Sequence, residues 1–296
     1  MYWKTVSFSN ENRGCLRGRL LLTRLNVVDR LYLFYLAAIG LLALRGGAAG
    51  WRVLAWHAAI AIAILLLAMN QSRLPVLGFL HDWYPLAMFI FSFEEVARFS
   101  LSLVGHWQDH RIAAFEYRFF AGSPNLWLRQ FASRPVSELM DFGYFTYYPM
   151  FPLLAGLLYG HGKRDLFRLL MVRSVTLYFI AFTIYLGFPC ESPRRAFYDS
   201  GPLCGYFFSW IVRLIQGGAG VHGNALPSSH VGLAVLCTWV AYQWNKKLGL
   251  LFSACTVLIG TGAVYDGYHY VSDVLAGVVV AGAANALTTR FFPESS

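Results

Sequence analysis

Charge is what this chain has least of: Asp, Glu, Lys and Arg together make up 13% of its 296 residues. Soluble domains carry roughly a quarter, so a chain that is 57% hydrophobic is not composed for water. Acidic residues are the scarcer sign, 15 against 24 basic ones. Such an excess can mark nucleic-acid binding, but here the basic residues form no stripe interleaved with exposed aromatics. They stand at the ends of apolar runs, where the positive-inside rule puts them. The partner is therefore a membrane and not a nucleic acid. Cysteine is rare as well, with five in all, and no Cys/His spacing matches a zinc site, so neither a metal nor a cofactor is called for. Cys15, Cys237 and Cys255 read as small apolar residues in cytoplasmic or buried positions. Heptads, low-complexity tracts and soluble-domain repeats are missing. Residues 1–27 carry Lys4, Arg13, Arg17, Arg19 and Arg24 without the short apolar core of a cleavable signal peptide.

What the chain does have is long apolar runs. A membrane span needs about 20 mostly apolar residues, and eight runs qualify: 28–45, 51–70, 83–104, 138–160, 167–188, 229–245, 248–266 and 269–290. Glu94, Glu95 and Arg98 interrupt the third, and Asp141 opens the fourth. Spans in lipid must satisfy their own backbone, so these are helices. The fold expected is an all-α, multi-pass transmembrane helical bundle of about eight spans. Residues 1–27 form a cytoplasmic lead-in, 28–82 two N-terminal helices, and 83–296 a six-helix core.

Loop charge orients the bundle. The basic N-terminal segment, the connections 160–168 and 243–249, and the C-terminal Arg290 all fall on one side, which is cytoplasmic by the same rule. Only Arg45 and Arg52 dissent. The loop 189–228 and the start of the last helix then emerge on the exoplasmic side. Cys190 and Cys204 share that loop, where an oxidising compartment permits a disulfide. Residues 105–137, with FEYRFFAGSPNLWLRQF, are also exoplasmic and amphipathic, and suit an interfacial segment along the headgroups.

Two polar stretches stand at helix heads on that side. GNALPSSHVG, 223–232, ends in Pro227, Ser228, Ser229 and His230; GYHYVSDVLAG, 267–277, holds His269 and Asp273. Spaced i and i+4, His269 and Asp273 share a helix face, and an aspartate accepting from one imidazole nitrogen leaves the other nucleophilic. His230 opens its helix, where backbone N–H groups and the positive dipole end favour an anion, with the Ser228 and Ser229 hydroxyls as further donors. A third stretch, FPCESPRRAF, offers Arg194 and Arg195 to clamp phosphate oxygens. Any one of these residues alone has a blander reading, as an interfacial histidine or a headgroup anchor. Their joint convergence from three loops onto one membrane face points to a site.

The order Arg-bearing loop, P-S-S-H, then H-x3-D resembles the type 2 phosphatidic acid phosphatase superfamily over roughly residues 140–290. That superfamily also includes vanadium haloperoxidases and membrane phosphotransferases. The resemblance implies that His269 is the nucleophile forming a phosphohistidine, that Asp273 orients it, and that His230 protonates the leaving group. It departs in two places. The family's Ser-Arg pair ahead of the nucleophile is replaced by Gly262 and Ala263, and its first motif, K-x6-R-P, by PCESPRR. Both departures resemble the branch of inositol phosphorylceramide synthase, with Arg194 or Arg195 standing in for the lost arginine. The runs at 115–131 and 142–152 also resemble that branch.

The function expected is a metal-independent, histidine-dependent lipid phosphotransferase on the exoplasmic face. A phospholipid or polyprenyl phosphate would be the donor, and a lipid or polyol the acceptor. The alternative with water as acceptor is a lipid phosphate or pyrophosphate phosphatase; a non-catalytic transporter or scaffold would keep the pocket only to bind headgroups. Around the motifs, Glu94 and Arg98 are spaced for an i,i+4 pair. Glu116 and Arg118 could touch headgroups, with a solvated interfacial face as the blander reading; Asp266 and His222 read as supports of the site, and Tyr144, Tyr147 and Tyr148 as an aromatic belt.

Overall fold

The structure is a computed structural model that describes residues 24–197, 205–219 and 223–291, and every regular element among them is a helix. The chain divides into two compact units, Met1–Ala87 and Met88–Ser296.

In the first unit, α1 (Val27–Ala43) and α2 (Ala48–Asn70) are joined by a short 3-10 turn and followed by the first part of α3 (Pro75–Val104). Asn26 and Asp29 form a reciprocal capping box at the head of α1, with bonds of 2.8 and 2.9 Å. The Asp29 carboxylate is also bonded by the Tyr84 hydroxyl at 2.8 Å and lies 3.1 Å from His81 Nε2. Deeper in the helix pair, His57 Nδ1 meets the Leu36 carbonyl at 2.8 Å. His57, His81 and Tyr84 thus each use a buried polar atom to join two helices.

The second unit continues along α3 and then runs through α4 (Asp109–Phe120), α5 (Pro124–Arg129), α6 (Arg134–Phe145), α7 (Tyr147–Gly160), α8 (Arg164–Gly187), α9 (Pro193–Phe197), α10 (Phe207–Ala219), α11 (Ser229–Trp244), α12 (Lys246–Tyr265) and α13 (Val271–Phe291). Helix α11 is the centre, packed by α7, α8, α12 and α13. It is apolar all round, as a helix enclosed by others should be. Two glycines let its head approach α13. A Cβ on Gly277 would run into the Ser228 carbonyl, and one on Gly232 would sit 3.0 Å from the Gly277 carbonyl. Substituting either would force apart the two helix heads that carry His230 and Asp273.

Five helices are long and apolar enough to cross a membrane: Val27–Gly46, Ala48–Asn70, Arg164–Gly187, Lys246–Tyr265 and Val271–Phe291. They correspond to the first, second, fifth, seventh and eighth expected spans. The other three expected runs are helical but compromised, each for its own reason. Glu94, Glu95 and Arg98 sit within α3; the fourth run breaks at Thr146 into α6 and α7; and α11 has 16 residues, short for lipid at about 1.5 Å per residue. The expected pair within α3 is present, with Arg98 Nη2 at 3.4 Å from Glu94 Oε2. The lead-in up to residue 23, Cys204 and His222 lie outside the described residues, so the disulfide expectation falls there as well.

Candidate active site

Three loop segments meet at the heads of α11 and α13, and single backbone bonds lace them together. Ala225 N–H donates to the Cys190 carbonyl at 3.1 Å, Arg194 N–H to the Gly267 carbonyl at 3.0 Å, and Ser228 N–H to the Asp273 carbonyl at 2.9 Å. The first expected loop therefore touches the second, and both touch the third, although 83 residues of numbering separate Cys190 from Asp273.

His269 precedes the first residue of α13 and stands outside that helix. Its Nδ1 is 3.3 Å from Asp273 Oδ2, which also accepts the Tyr270 N–H at 2.9 Å. A carboxylate can only accept here, so Nδ1 carries the proton and Nε2 keeps its lone pair. Burial lowers the His269 imidazole to about 4, with the Ala225 backbone opposing the shift. The ring is therefore neutral at physiological pH, the form a nucleophile needs.

The His230 ring stands across from it, centroid to centroid at 5.6 Å. His230 is the second residue of α11, behind Ser228, whose hydroxyl oxygen caps the helix by accepting the Val231 N–H at 3.4 Å. The Tyr185 hydroxyl donates to the Pro227 carbonyl at 2.7 Å and fixes the turn before the cap. His230 Nδ1 is buried and has no hydrogen-bond partner among the described residues. Two imidazoles thus face each other at the head of α11, next to Ser228 and Ser229 in sequence, a combination of groups that suits an oxyanion.

Arg194 reaches the same loop. Its Nη1 lies 3.4 Å from the Tyr268 hydroxyl, and its guanidinium carbon is 5.7 Å from the Tyr268 ring centre. Gly267 has φ +73, and a Cβ there would sit 3.1 Å from Arg194 Cβ, so the position needs glycine for both conformation and space. Arg195, one residue on, contributes its N–H to the Ser192 carbonyl at 3.1 Å. Of the two arginines, Arg194 is the one tied to the HYVSD loop. The positions of the missing Ser-Arg pair have no room for it: a Cβ on Gly262 would lie 2.5 Å from the Met140 carbonyl, and Ala263 is fully enclosed.

Two expectations need correcting. Tyr144 and its neighbours are not a belt facing the headgroups. Tyr144 is 1% exposed and packs on both His230 and Tyr268, with ring centres at 5.5 and 4.9 Å. Tyr147 lies against His230 at 4.3 Å, and Gln216 Nε2 donates to the hydroxyls of Tyr144 and Tyr148 at 3.2 Å each. The break at Thr146 turns these rings inward, an effect that aromatic composition alone does not reveal. Glu116 is likewise no solvated residue. It is buried, and its Oε1 accepts from Ser272 N–H at 2.6 Å and from the Ser272 hydroxyl at 2.8 Å.

Other residues went unnoticed in the sequence. Asp109 accepts from Glu191 N–H at 2.9 Å and from the Tyr270 hydroxyl at 3.2 Å. Asn125 donates to the carbonyls of Val264 and His269. A usable signal existed in α4, where Asp109, Ile112 and Glu116 fall at helical spacing on one face. Burial pushes the carboxyl groups of both Asp109 and Glu116 up. Asp266, expected as a support, is buried too; burial and the neighbouring Asp141 carboxyl hold it well above the usual carboxylate range. Among the described residues, no group of three or more His, Cys, Asp or Glu side chains could hold a metal ion.

Residues 110–287 match the PAP2 superfamily, which is more than half of the chain, and the protein belongs to that superfamily. A PA-phosphatase related-family protein of Dictyostelium discoideum is 30% identical to this chain over 113 residues. The similarity covers 36% of this chain and 20% of that relative, so the chain spans about a fifth of the relative's length. No solved structure matches significantly.

Proposed function

We propose that the protein is an integral-membrane lipid phosphotransferase working by double displacement at His269. The observation that carries this reading is the facing of the His230 and His269 rings at 5.6 Å, with Asp273 behind His269 at 3.3 Å. Binding a headgroup would need neither an oriented imidazole nor a second one opposite. In the first step His269 Nε2 attacks phosphorus, the bond from phosphorus to the leaving oxygen breaks, and protonated His230 gives its proton to that oxygen. In the second, neutral His230 takes the proton of an acceptor hydroxyl, whose oxygen attacks the phosphohistidine and frees His269. Arg194, with Arg195 beside it, the α11 N-terminus and the hydroxyls of Ser228 and Ser229 hold the charge that develops on the phosphoryl oxygens.

Transfer is favoured over hydrolysis by how closed the site is. His269 is buried, and tyrosines wall the His230 side. The enclosed Gly262 and Ala263, with Arg194 in place of the missing arginine, fit the branch that resembles inositol phosphorylceramide synthase. The donor would be a phospholipid or polyprenyl phosphate and the acceptor a lipid or polyol, both met on the exoplasmic side. With eight spans, the loops 160–168 and 243–249 would be cytoplasmic, a sidedness that their basic residues support.

The test is a reconstituted preparation given a labelled lipid phosphate and a lipid or polyol alcohol. Transfer to the alcohol, abolished by His269→Ala, is the expected result; free inorganic phosphate as the sole product would make the protein a phosphatase. Sidedness is read from single cysteines in a chain with its own cysteines replaced. Lys246→Cys should resist an impermeant reagent applied from outside, while Tyr206→Cys should react. The reverse pattern would place the site in the cytoplasm.

A further inference from the structure

The segment ahead of α6 sends three buried polar side chains into the HYVSD turn. Asp109, Glu116 and Asn125 are 3%, 2% and 0% exposed. Their bonds to the turn fall within a nine-residue stretch, Val264 to Ser272. The Asn125 amide spans the turn from end to end, donating to Val264 O at 2.7 Å and His269 O at 2.9 Å. Glu116 holds the other flank through Ser272, whose neighbour is Asp273. Asp109 takes the Tyr270 hydroxyl and, with its second oxygen, the Glu191 N–H at 2.9 Å, so it joins the turn to the arginine-bearing loop. Val264, His269, Tyr270 and Ser272 are therefore each bonded by a side chain more than 130 residues away in the chain.

Stability alone does not account for these choices. Burying two carboxylates a short way from the Asp273 carboxylate opposes folding, and apolar or amide side chains of similar volume would fill the same space at lower cost. A group retained at such a site is one whose geometry matters. Tilting the His269 ring by a fraction of an ångström would take Nε2 off line with phosphorus, and misplacement of about 1 Å can cost about 10²-fold in rate.

We propose that Glu116, Asn125 and Asp109 are positioning residues that hold the His269 ring between Asp273 and His230 for in-line attack. This rests on the reading of His269 as the nucleophile. None of the three touches substrate in this account; they act through the turn. Their removal should therefore slow the chemical step without weakening the grip of Arg194 and the α11 N-terminus on the phosphate.

The experiment compares Glu116→Ala, Glu116→Gln, Asn125→Ala and Asp109→Asn with the parent and with His269→Ala, all as full-length protein. It reads kcat and KM on a lipid phosphate, and the 15N resonances of the His269 ring. Glu116→Ala and Asn125→Ala should lower kcat by about tenfold or more, while KM stays within about twofold. Glu116→Gln should regain most of the loss, because its amide oxygen still accepts from Ser272. In the parent the ring should be the single Nδ1–H tautomer, and in the two alanine variants a mixture. Parental kcat with an unchanged ring spectrum in Glu116→Ala would overturn the proposal. So would a Gln variant as poor as Ala, or KM rising in step with the loss. If His269→Ala keeps its activity, the transferase reading falls instead, and the ring spectra of the other variants still decide whether these residues position His269.

Discussion

His81 and His269 each stand beside a fully buried aspartate, at 3.1 Å from Asp29 and 3.3 Å from Asp273. In composition the two pairs are the same, and in surroundings they are not. Asp29 is saturated: its two oxygens take the Asn26 N–H, which caps α1, and the Tyr84 hydroxyl and the His81 imidazole, which join α1 to α3. Among the described residues no second imidazole is in ring contact with His81, and Asp273 Oδ1 has no hydrogen-bond partner, while His269 has another histidine across from it at the head of α11. A buried His–Asp pair is thus only a way to orient a ring. It becomes a reactive site when something opposite can hold an anion and move a proton.

The comparison breaks most sharply on substitution. His269→Ala should cut turnover by about 10²–10⁴-fold or more, whereas His81→Ala should leave the turnover of folded protein unchanged and cost about 1–3 kcal/mol of stability through the bonds it abandons. Equal losses of turnover in both would erase the distinction. His230→Ala should come close to the same loss when the leaving group is a simple alkoxide. The deficit should shrink when the leaving group is a phenolate that departs without a proton, and a deficit indifferent to the leaving group would remove His230 from its role as acid.

Arg194→Ala should act on binding, raising KM by about 10–100-fold for the loss of a charge-assisted contact to phosphate, with Arg194→Lys restoring only part of it. A change confined to kcat would move Arg194 from clamp to catalysis. The smallest effect concerns pH. Because burial lowers His269 to about 4, its neutral form persists as pH falls from 7 toward 5. The acid limb of kcat/KM assigned to the nucleophile should then appear near pH 4, with rate lost as the imidazole gains its proton, and not near the ordinary histidine value of about 6.5. A limb at 6.5 would mean that His269 is far more solvated than its 4% exposure allows.

What was legible in the sequence was whatever is local. The i,i+4 spacing of His269 and Asp273 forecasts their pairing, although His269 stands before the helix and not on its face; the proline and serines before His230 forecast a helix head, and the longest apolar runs forecast long helices. The backbone laces among the three loops could be anticipated only as convergence, since no periodicity records which carbonyl meets which N–H. Glu116 shows the limit best. In an amphipathic segment rich in Phe and Arg, a glutamate reads as part of the wet face, and its partner Ser272 is 156 residues away. Tyr144 was misplaced for a related reason: aromatic residues at a helix mouth suit a headgroup belt, and the kink at Thr146 that turns them onto His230 has no marker such as proline at that position. Gly262 and Ala263 could be seen as departures from a motif, but the close approach of Met140 that makes them necessary could not.

The central claim is that His269 carries the phosphoryl group between donor and acceptor. Trapping tests it most directly: the reconstituted protein is mixed with a lipid phosphate labelled in its phosphoryl group, quenched under alkaline conditions that preserve phosphohistidine, digested and mapped by mass spectrometry. Label on the peptide bearing His269, chased off by added acceptor alcohol and missing from His269→Ala, is the predicted result. Label on any other residue, or turnover with no phosphoprotein at a time when the donor is being consumed and the acceptor step is starved, would contradict it.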